Sequence, residues 1–140
     1  MAHNATLAIA DTERDLCQLR VAGLDAPAVS LSAPSRLAVG QTLHAVVDPP
    51  DGEFGLVRGE LKALRHSDDG KRVERLETAA SATAPAGGGA LFDAEGQLVG
   101  ILTVEPAGAQ SAQAGLAVPS EALAEMAQRE RAAATSYWVR

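Results

Sequence analysis

The sequence predicts an all-β domain, a sandwich or barrel of short strands. Three observations carry this. Apolar and polar residues alternate in runs of about six, the spacing of a half-buried strand. Clusters of Gly, Pro and Asp separate those runs. A helical apolar stripe occurs only after Pro119-Ser120.

Taken in order, Ala5–Ala10 alternates and stops at the turn Asp11-Thr12-Glu13-Arg14. Leu16–Val21 returns, with Cys17, Leu19 and Val21 on one face and Gln18 and Arg20 on the other, so the two runs form a hairpin. Gly23 to Gly40 is a connector. Pro27 and Pro34 remove N–H donors and restrain their predecessors, which predicts extended coil rather than helix. Thr42–Val47 is a strand ending at the strong turn Asp48-Pro49-Pro50-Asp51-Gly52. Gly55–Leu64 follows, then a turn around Ser67-Asp68-Asp69-Gly70, then Val73–Thr78. Ala79–Gly89 is a small-residue loop, too irregular for a helix. Ala90–Phe92, the tight turn Asp93-Ala94-Glu95-Gly96 and Gln97–Val104 make a second hairpin. Glu105–Ala112 is a loop and Gly115–Val118 the last strand. Ser120 is the expected N-cap of a terminal helix whose Leu123, Met126 and Ala127 form a packing stripe.

Composition bounds what such a fold can do. The 140 residues suit one domain, and 46% hydrophobic residues suffice for a core. Aromatics are only 3%, so Val, Leu and Ala must fill that core. The net charge is −6, and Lys71-Arg72 and Arg129/Arg131 are isolated, which argues against a nucleic-acid partner. No run approaches the roughly 20 apolar residues of a membrane span. Residues 1–10 lack the basic start and apolar stretch of a signal peptide, so the chain reads as cytoplasmic. Cys17 stands alone, and its apolar surroundings predict a buried, inert thiol. Cysteine and histidine show no ligand spacing, so neither metal nor cofactor is expected. Gly87-Gly88-Gly89 lacks the Lys-Ser/Thr of a phosphate loop.

The most specific stretch runs from Thr78 through Gly87-Gly88-Gly89-Ala90-Leu91-Phe92-Asp93 to Gly96-Gln97-Leu98-Val99-Gly100-Ile101. It resembles the nucleophile segment of trypsin-like serine proteases, above all the bacterial HtrA-like group, whose pattern is T-D-A-x-I-x-P-G-N-S-G-G-P-L-F-D followed by x-x-G-x-V-V-G-I. Gly115-Leu116-Ala117-Val118-Pro119-Ser120 is similar to that family's closing G-F-A-I-P-S. Asp11 to Leu19 resembles its D-x-x-x-D-L-A-x-L, Val39-Gly40-Gln41 its V-G-E, and Gly59 the glycine of its x-x-G-x-V strand. The resemblance implies a six-stranded antiparallel Greek-key barrel at 41–118, the second barrel of that fold. A remnant hairpin of the first barrel would occupy 1–22, a connector 23–40, and a helix with tail 119–140. Two strands cannot close a barrel, so the hairpin is expected to expose unpaired edges and to support a homo-oligomer.

The family's chemistry needs a nucleophilic hydroxyl, a histidine base, an aspartate to orient it, and N–H donors for the oxyanion. The resemblance places Gly87 at the nucleophile and Asp15 at the orienting aspartate, both vestigial. From Ala82 to Phe92 there is no serine, and Thr83 is the only hydroxyl. His3 lies only twelve residues before Asp15 with a strand between them, while His44 and His66 fall in the second-barrel region. In an ungapped register Pro85, which has no N–H, occupies the first oxyanion-donor position. The resemblance implies a peptide-binding cleft in which Thr103, Val104 and Glu105 pair with peptide backbone. Ser81 forms the base of the specificity pocket, and Pro85 and Ala86 flank the nucleophile position.

The expected function is thus that of an inactive protease homologue, a peptide- or protein-interaction or scaffold module. One alternative is part of an active serine endopeptidase whose catalytic groups come from a missing segment or a partner chain. A blander one is an unrelated small β-domain whose glycine turns mimic the family.

Overall fold

The computed structural model describes residues 2–47, 54–81, 88–103 and 115–138. Among these, eight strands and one helix follow in the order β1 Ala5–Asp11, β2 Leu16–Val21, β3 Thr42–Val47, β4 Gly55–His66, β5 Val73–Thr78, β6 Ala90–Phe92, β7 Leu98–Thr103, β8 Gly115–Pro119 and α1 Ser120–Trp138. The chain divides into two compact units, one of residues 29–121 and one of residues 1–28 with 122–140.

The larger unit is a closed barrel with strand order β3-β4-β5-β8-β7-β6, every neighbouring pair antiparallel. The order departs from sequence order as a Greek key does, and pairing of β6 back onto β3 leaves no free edge. Alternation along β3 points Leu43, Ala45 and Val47 inward. They meet Leu61, Leu76, Leu91, Val99, Leu102 and Ala117 in a core made wholly of Leu, Val and Ala. Small side chains let the strands approach closely, and two glycines mark where they do. A Cβ on Gly59 would lie 2.3 Å from the Ala80 nitrogen, and one on Gly100 would lie 2.5 Å from the Val118 carbonyl oxygen.

The connector is not plain extended coil. Pro34–Arg36 make a 3-10 turn, which the fixed φ of proline suits as a first residue. Ahead of it Leu31 bridges Leu98 in parallel, with the Ser32 N–H donating to the Leu98 carbonyl (2.9 Å) and the Leu98 N–H to that of Ser30 (2.8 Å). Gly100 pairs with Pro119, the last residue of β8, so the connector occupies the β7 edge where β8 has ended.

The smaller unit pairs β1 with β2 around Leu7↔Leu19, with a register shift between Leu7 and Ile9. Its turn closes through Asp15, whose φ of 57° lies in the left-handed region that Asp tolerates better than most residues. The burial of the hairpin reverses expectation. Cys17 is exposed, not buried, and Leu7 and Leu19 are 62% and 54% exposed. The reason is α1, whose residues 122, 125, 126, 129 and 130 share one face at helical spacing. Ala122 and Met126 are buried, while Glu125, Arg129 and Glu130 reach the opposite hairpin face. Arg14 Nη2 donates to Glu125 Oε2 at 2.6 Å, and Arg129 Nη1 lies 3.3 Å from Asp11 Oδ2. Glu130 accepts from both Gln18 and Arg20. Ser120 is the first residue of the helix, and its hydroxyl donates to the Ser32 carbonyl at 2.8 Å inside the larger unit.

Two substitutions separate these interactions. Gly59→Ala forces its methyl into the Ala80 backbone and should destabilise the chain by about 1–3 kcal/mol or more in urea denaturation. Asp11, only 8% exposed, is faced by two arginines, so Asp11→Ala should cost about 1–3 kcal/mol. Arg20→Ala, at a side chain 71% exposed, should cost no more than about 1 kcal/mol.

Candidate functional site

Antiparallel pairing puts the C-terminal ends of β3, β5 and β7 and the N-terminal ends of β4, β6 and β8 at the same end of the barrel. The described residues Val47, Ser81 and Thr103 therefore stand at or beside that end. Register fixes the local arrangement. Leu116 of β8 lies between Glu77 of β5 and Thr103 of β7, so the chain leaving β5 toward Ser81 starts beside the end of β7.

Ser81 closes a single 3-10 turn, Ala79–Ser81, a short helical element inside the stretch expected as irregular loop. Thr78, fully buried, holds this turn in place. Its hydroxyl donates to the Glu60 carbonyl at 3.2 Å and accepts the Ala80 N–H at 3.1 Å. The turn can lie directly on β4 because Gly59 has no side chain there.

On the other side of the site, Gly88 adopts a φ of 91°, open to glycine but strained for other residues. Its N–H donates to the Leu102 carbonyl at 2.7 Å, and the Leu102 N–H donates to the Gly89 carbonyl at 2.8 Å. The pairing of β6 with β7 thus extends through the glycines to the residue next to position 87. The far end of β6 is locked by Asp93, 5% exposed, whose carboxylate accepts the N–H groups of Glu95 (3.0 Å) and Gln97 (2.9 Å). Thr78 positions the turn at the site end, Asp93 holds the turn at the opposite end, and the functional reading of the sequence selects neither. Their signal in the sequence is a hydroxyl and a carboxylate in fixed places of the matched motif.

Of the expected peptide-binding set, the structure brings Ser81 and half-buried Thr103 to this barrel end. Pro85, Ala86, Gly87, Val104 and Glu105 lie outside the described residues. Asp15, expected as a vestige of the orienting aspartate, is an exposed turn residue of the smaller unit. None of the histidines in the larger unit reaches the site. His44 lies within β3, where its neighbours Leu43 and Ala45 point inward, and pairs with Arg58 and Phe92. His66 ends β4 at the opposite end, and His3 belongs to the smaller unit. Also at that opposite end, Asp69 is held below the usual carboxylate range, mainly by the Ser67 hydroxyl and then by the Lys71 N–H. Among the described residues no group of His, Cys, Asp and Glu could hold a metal ion, and no helix is long and apolar enough to cross a membrane.

Comparison with known proteins matches this geometry. The family profile described as trypsin-like peptidase domain covers residues 2–101. No curated protein matches the chain. Among solved structures, the HtrA-type protease AlgW with decapeptide superposes with a TM-score of 0.74 at 27% identity, covering 90% of this chain and 40% of that one. AlgW with tripeptide gives 0.71 at 28% identity, covering 89% and 42%. The serine endoprotease from Yersinia pestis gives 0.71 at 22% identity, covering 91% and 44%, a likeness of fold alone. The chain therefore spans about two-fifths of the length of the structures it matches.

The anchoring role of Thr78 can be measured directly. Thr78→Val keeps the shape but leaves the Glu60 carbonyl and the Ala80 N–H without their partner. It should lower stability by about 1–3 kcal/mol in urea denaturation, with faster amide exchange concentrated at Ala80 and Ser81.

Proposed function

The chain belongs to the trypsin-like peptidase domain family, and on that premise we propose that it is a non-catalytic relative of the HtrA-type proteases that holds an extended peptide or protein segment without cleaving it. The observation that carries this reading is Gly87. Aligned on Gly88-Gly89, Leu91-Phe92-Asp93 and the strand through Gly100-Ile101, it stands at the nucleophile position and has no side chain at all. Covalent acyl transfer begins with attack by a side-chain oxygen or sulfur on the scissile carbonyl, and a base must take the proton. Glycine supplies no such atom. The closest hydroxyl in the segment belongs to Thr83, four residues earlier. Neither His44 nor His66 stands at the barrel end where β5 and β7 finish.

What remains is a surface suited to extended backbone. A peptide laid along Thr103-Val104-Glu105 would add a strand, with main-chain hydrogen bonds giving affinity and side-chain pockets giving preference. Ser81 and the Pro85-Ala86 pair would border its central side chain. Asp15 takes no part in this reading. The reading also keeps the protein free of metal and cofactor, since backbone pairing needs neither.

A second reading follows from length. Because the chain covers 40% of the AlgW structure, the rest of an active endopeptidase could be contributed by another segment or a partner chain. That reading needs a replacement for the missing Gly87 hydroxyl.

The test combines a fluorophosphonate probe with peptide binding. The probe is expected to leave the native protein unlabelled, and a fluorogenic peptide mixture is expected to stay intact. Extended peptides should bind in fluorescence polarisation, and N-methylation of alternate backbone nitrogens should weaken binding roughly tenfold or more, about 1.4 kcal/mol. Labelling that disappears in Thr83→Ala would overturn the non-catalytic reading. Indifference of every bound peptide to N-methylation would overturn strand addition.

A further inference from the structure

The two units are held by forces that respond differently to salt. The barrel core consists of Leu, Val and Ala, and burial of apolar surface does not weaken as ionic strength rises. In the smaller unit, hairpin and α1 face each other through three cross pairs. These are Arg14 with Glu125 (2.6 Å), Asp11 with Arg129 (3.3 Å) and Arg20 with Glu130. Gln18 adds a further donor to Glu130. The arginines of the last two pairs are 56% and 71% exposed, and both members of the first are partly solvated. Dissolved ions therefore reach every pair and screen it.

Two features make this contact a latch rather than a generic charged surface. The first is register. Sliding α1 by one turn in one direction sets Glu125 against Asp11, and in the other direction it sets Arg129 against Arg14. Either slide brings like charges together, so the cross pairs allow one closed position. The second is that each element holds a local partner for its own charges. Within the hairpin turn Arg14 Nε lies 3.7 Å from Asp11 Oδ2. On α1, Glu125 precedes Arg129 by four residues, the favourable order and spacing for a pair on a free helix. Opening therefore strands no charge, and what it loses is the screened attraction between the two elements. Leu16, Ala122 and Met126, buried in the same unit, add the part of the closing force that salt does not reduce.

We propose that α1 beyond Glu121 is an ionic-strength-sensitive latch, closed on the hairpin in dilute salt and released from it in concentrated salt while the barrel stays folded. Release uncovers the hairpin face that carries Asp11, Gln18 and Arg20. The first residue of the helix keeps its place, because Ser120 is tied to the Ser32 carbonyl within the larger unit. The latch is independent of the peptide-holding reading, since none of its residues belongs to the barrel end.

Hydrogen exchange of the full 140-residue chain tests this, compared between about 0.1 M and about 1 M sodium chloride, where the screening length falls from about 10 Å to about 3 Å. Amides of β1, β2 and α1 should exchange roughly tenfold faster or more in the concentrated salt, with those of β3 to β8 unchanged. Glu125→Gln should speed exchange in dilute salt and flatten the salt response. Arg20→Glu sets two carboxylates together and should speed it roughly fivefold, and combining Arg20→Glu with Glu130→Arg should restore the native rate. Circular dichroism sets aside any variant that fails to fold, and the salt comparison on the native chain needs none. Exchange in β1, β2 and α1 that ignores salt would overturn the proposal, as would a loss of protection spread equally through the barrel. So would a folded double variant that exchanges as fast as Arg20→Glu alone, since shape rather than charge would then hold the contact.

Discussion

Closure of the barrel through β3 and β6 is the constraint on which the candidate site depends. Without that pairing β3 and β6 would be open edges, and the short β6, three residues long, would have a single neighbour. With it, every backbone donor along these strands can be paired inside the barrel, and the interior becomes a space that Leu, Val and Ala can fill. A core poor in aromatics has a consequence for the backbone. Close contact has to come from strands and turns approaching one another, which is why Gly59 and Gly100 leave no room for a methyl group. The same close approach lets the Ala79–Ser81 turn lie on β4 at the site.

The smaller unit solves a different problem. A hairpin alone has too little apolar surface to order itself, and here its covered face is mixed, with Ile9 and buried Leu16 beside polar residues. Asp11, Arg14, Gln18 and Arg20 meet Glu125, Arg129 and Glu130, so the face is matched by charge as well as by shape. Most of these pairs are partly solvated, and each contributes modestly. The buried carboxylate of Asp11 is the exception, because leaving it unpaired in a nearly dry position would be costly.

The barrel end gathers one kind of feature, backbone that is unusually available or unusually placed. Gly88 sits at a φ suited to glycine, β7 ends there at Thr103, and Thr78 ties down the Ala79–Ser81 turn through main-chain hydrogen bonds. A scaffold of this kind presents backbone groups in fixed positions whether or not a nucleophile stands between them.

Strand positions were legible in the sequence by itself, because inward and outward residues alternate and Gly, Pro and Asp interrupt the alternation at each turn. β2, β3, β5 and β6 have the boundaries that pattern implies, and β1, β4, β7 and β8 differ only at their ends. Burial of the hairpin faces was not legible. Alternation reports that two faces differ, but only the docking of α1 decided that the charged face turns inward and that Cys17 stays exposed. Ser120 shows the same limit. Its place before an apolar stripe gives no sign that its hydroxyl donates to the carbonyl of Ser32, eighty-eight residues away. Periodicity and turn chemistry act between near neighbours in the chain, whereas the choice of face and of hydrogen-bond partner is made between segments that meet only when the chain is folded.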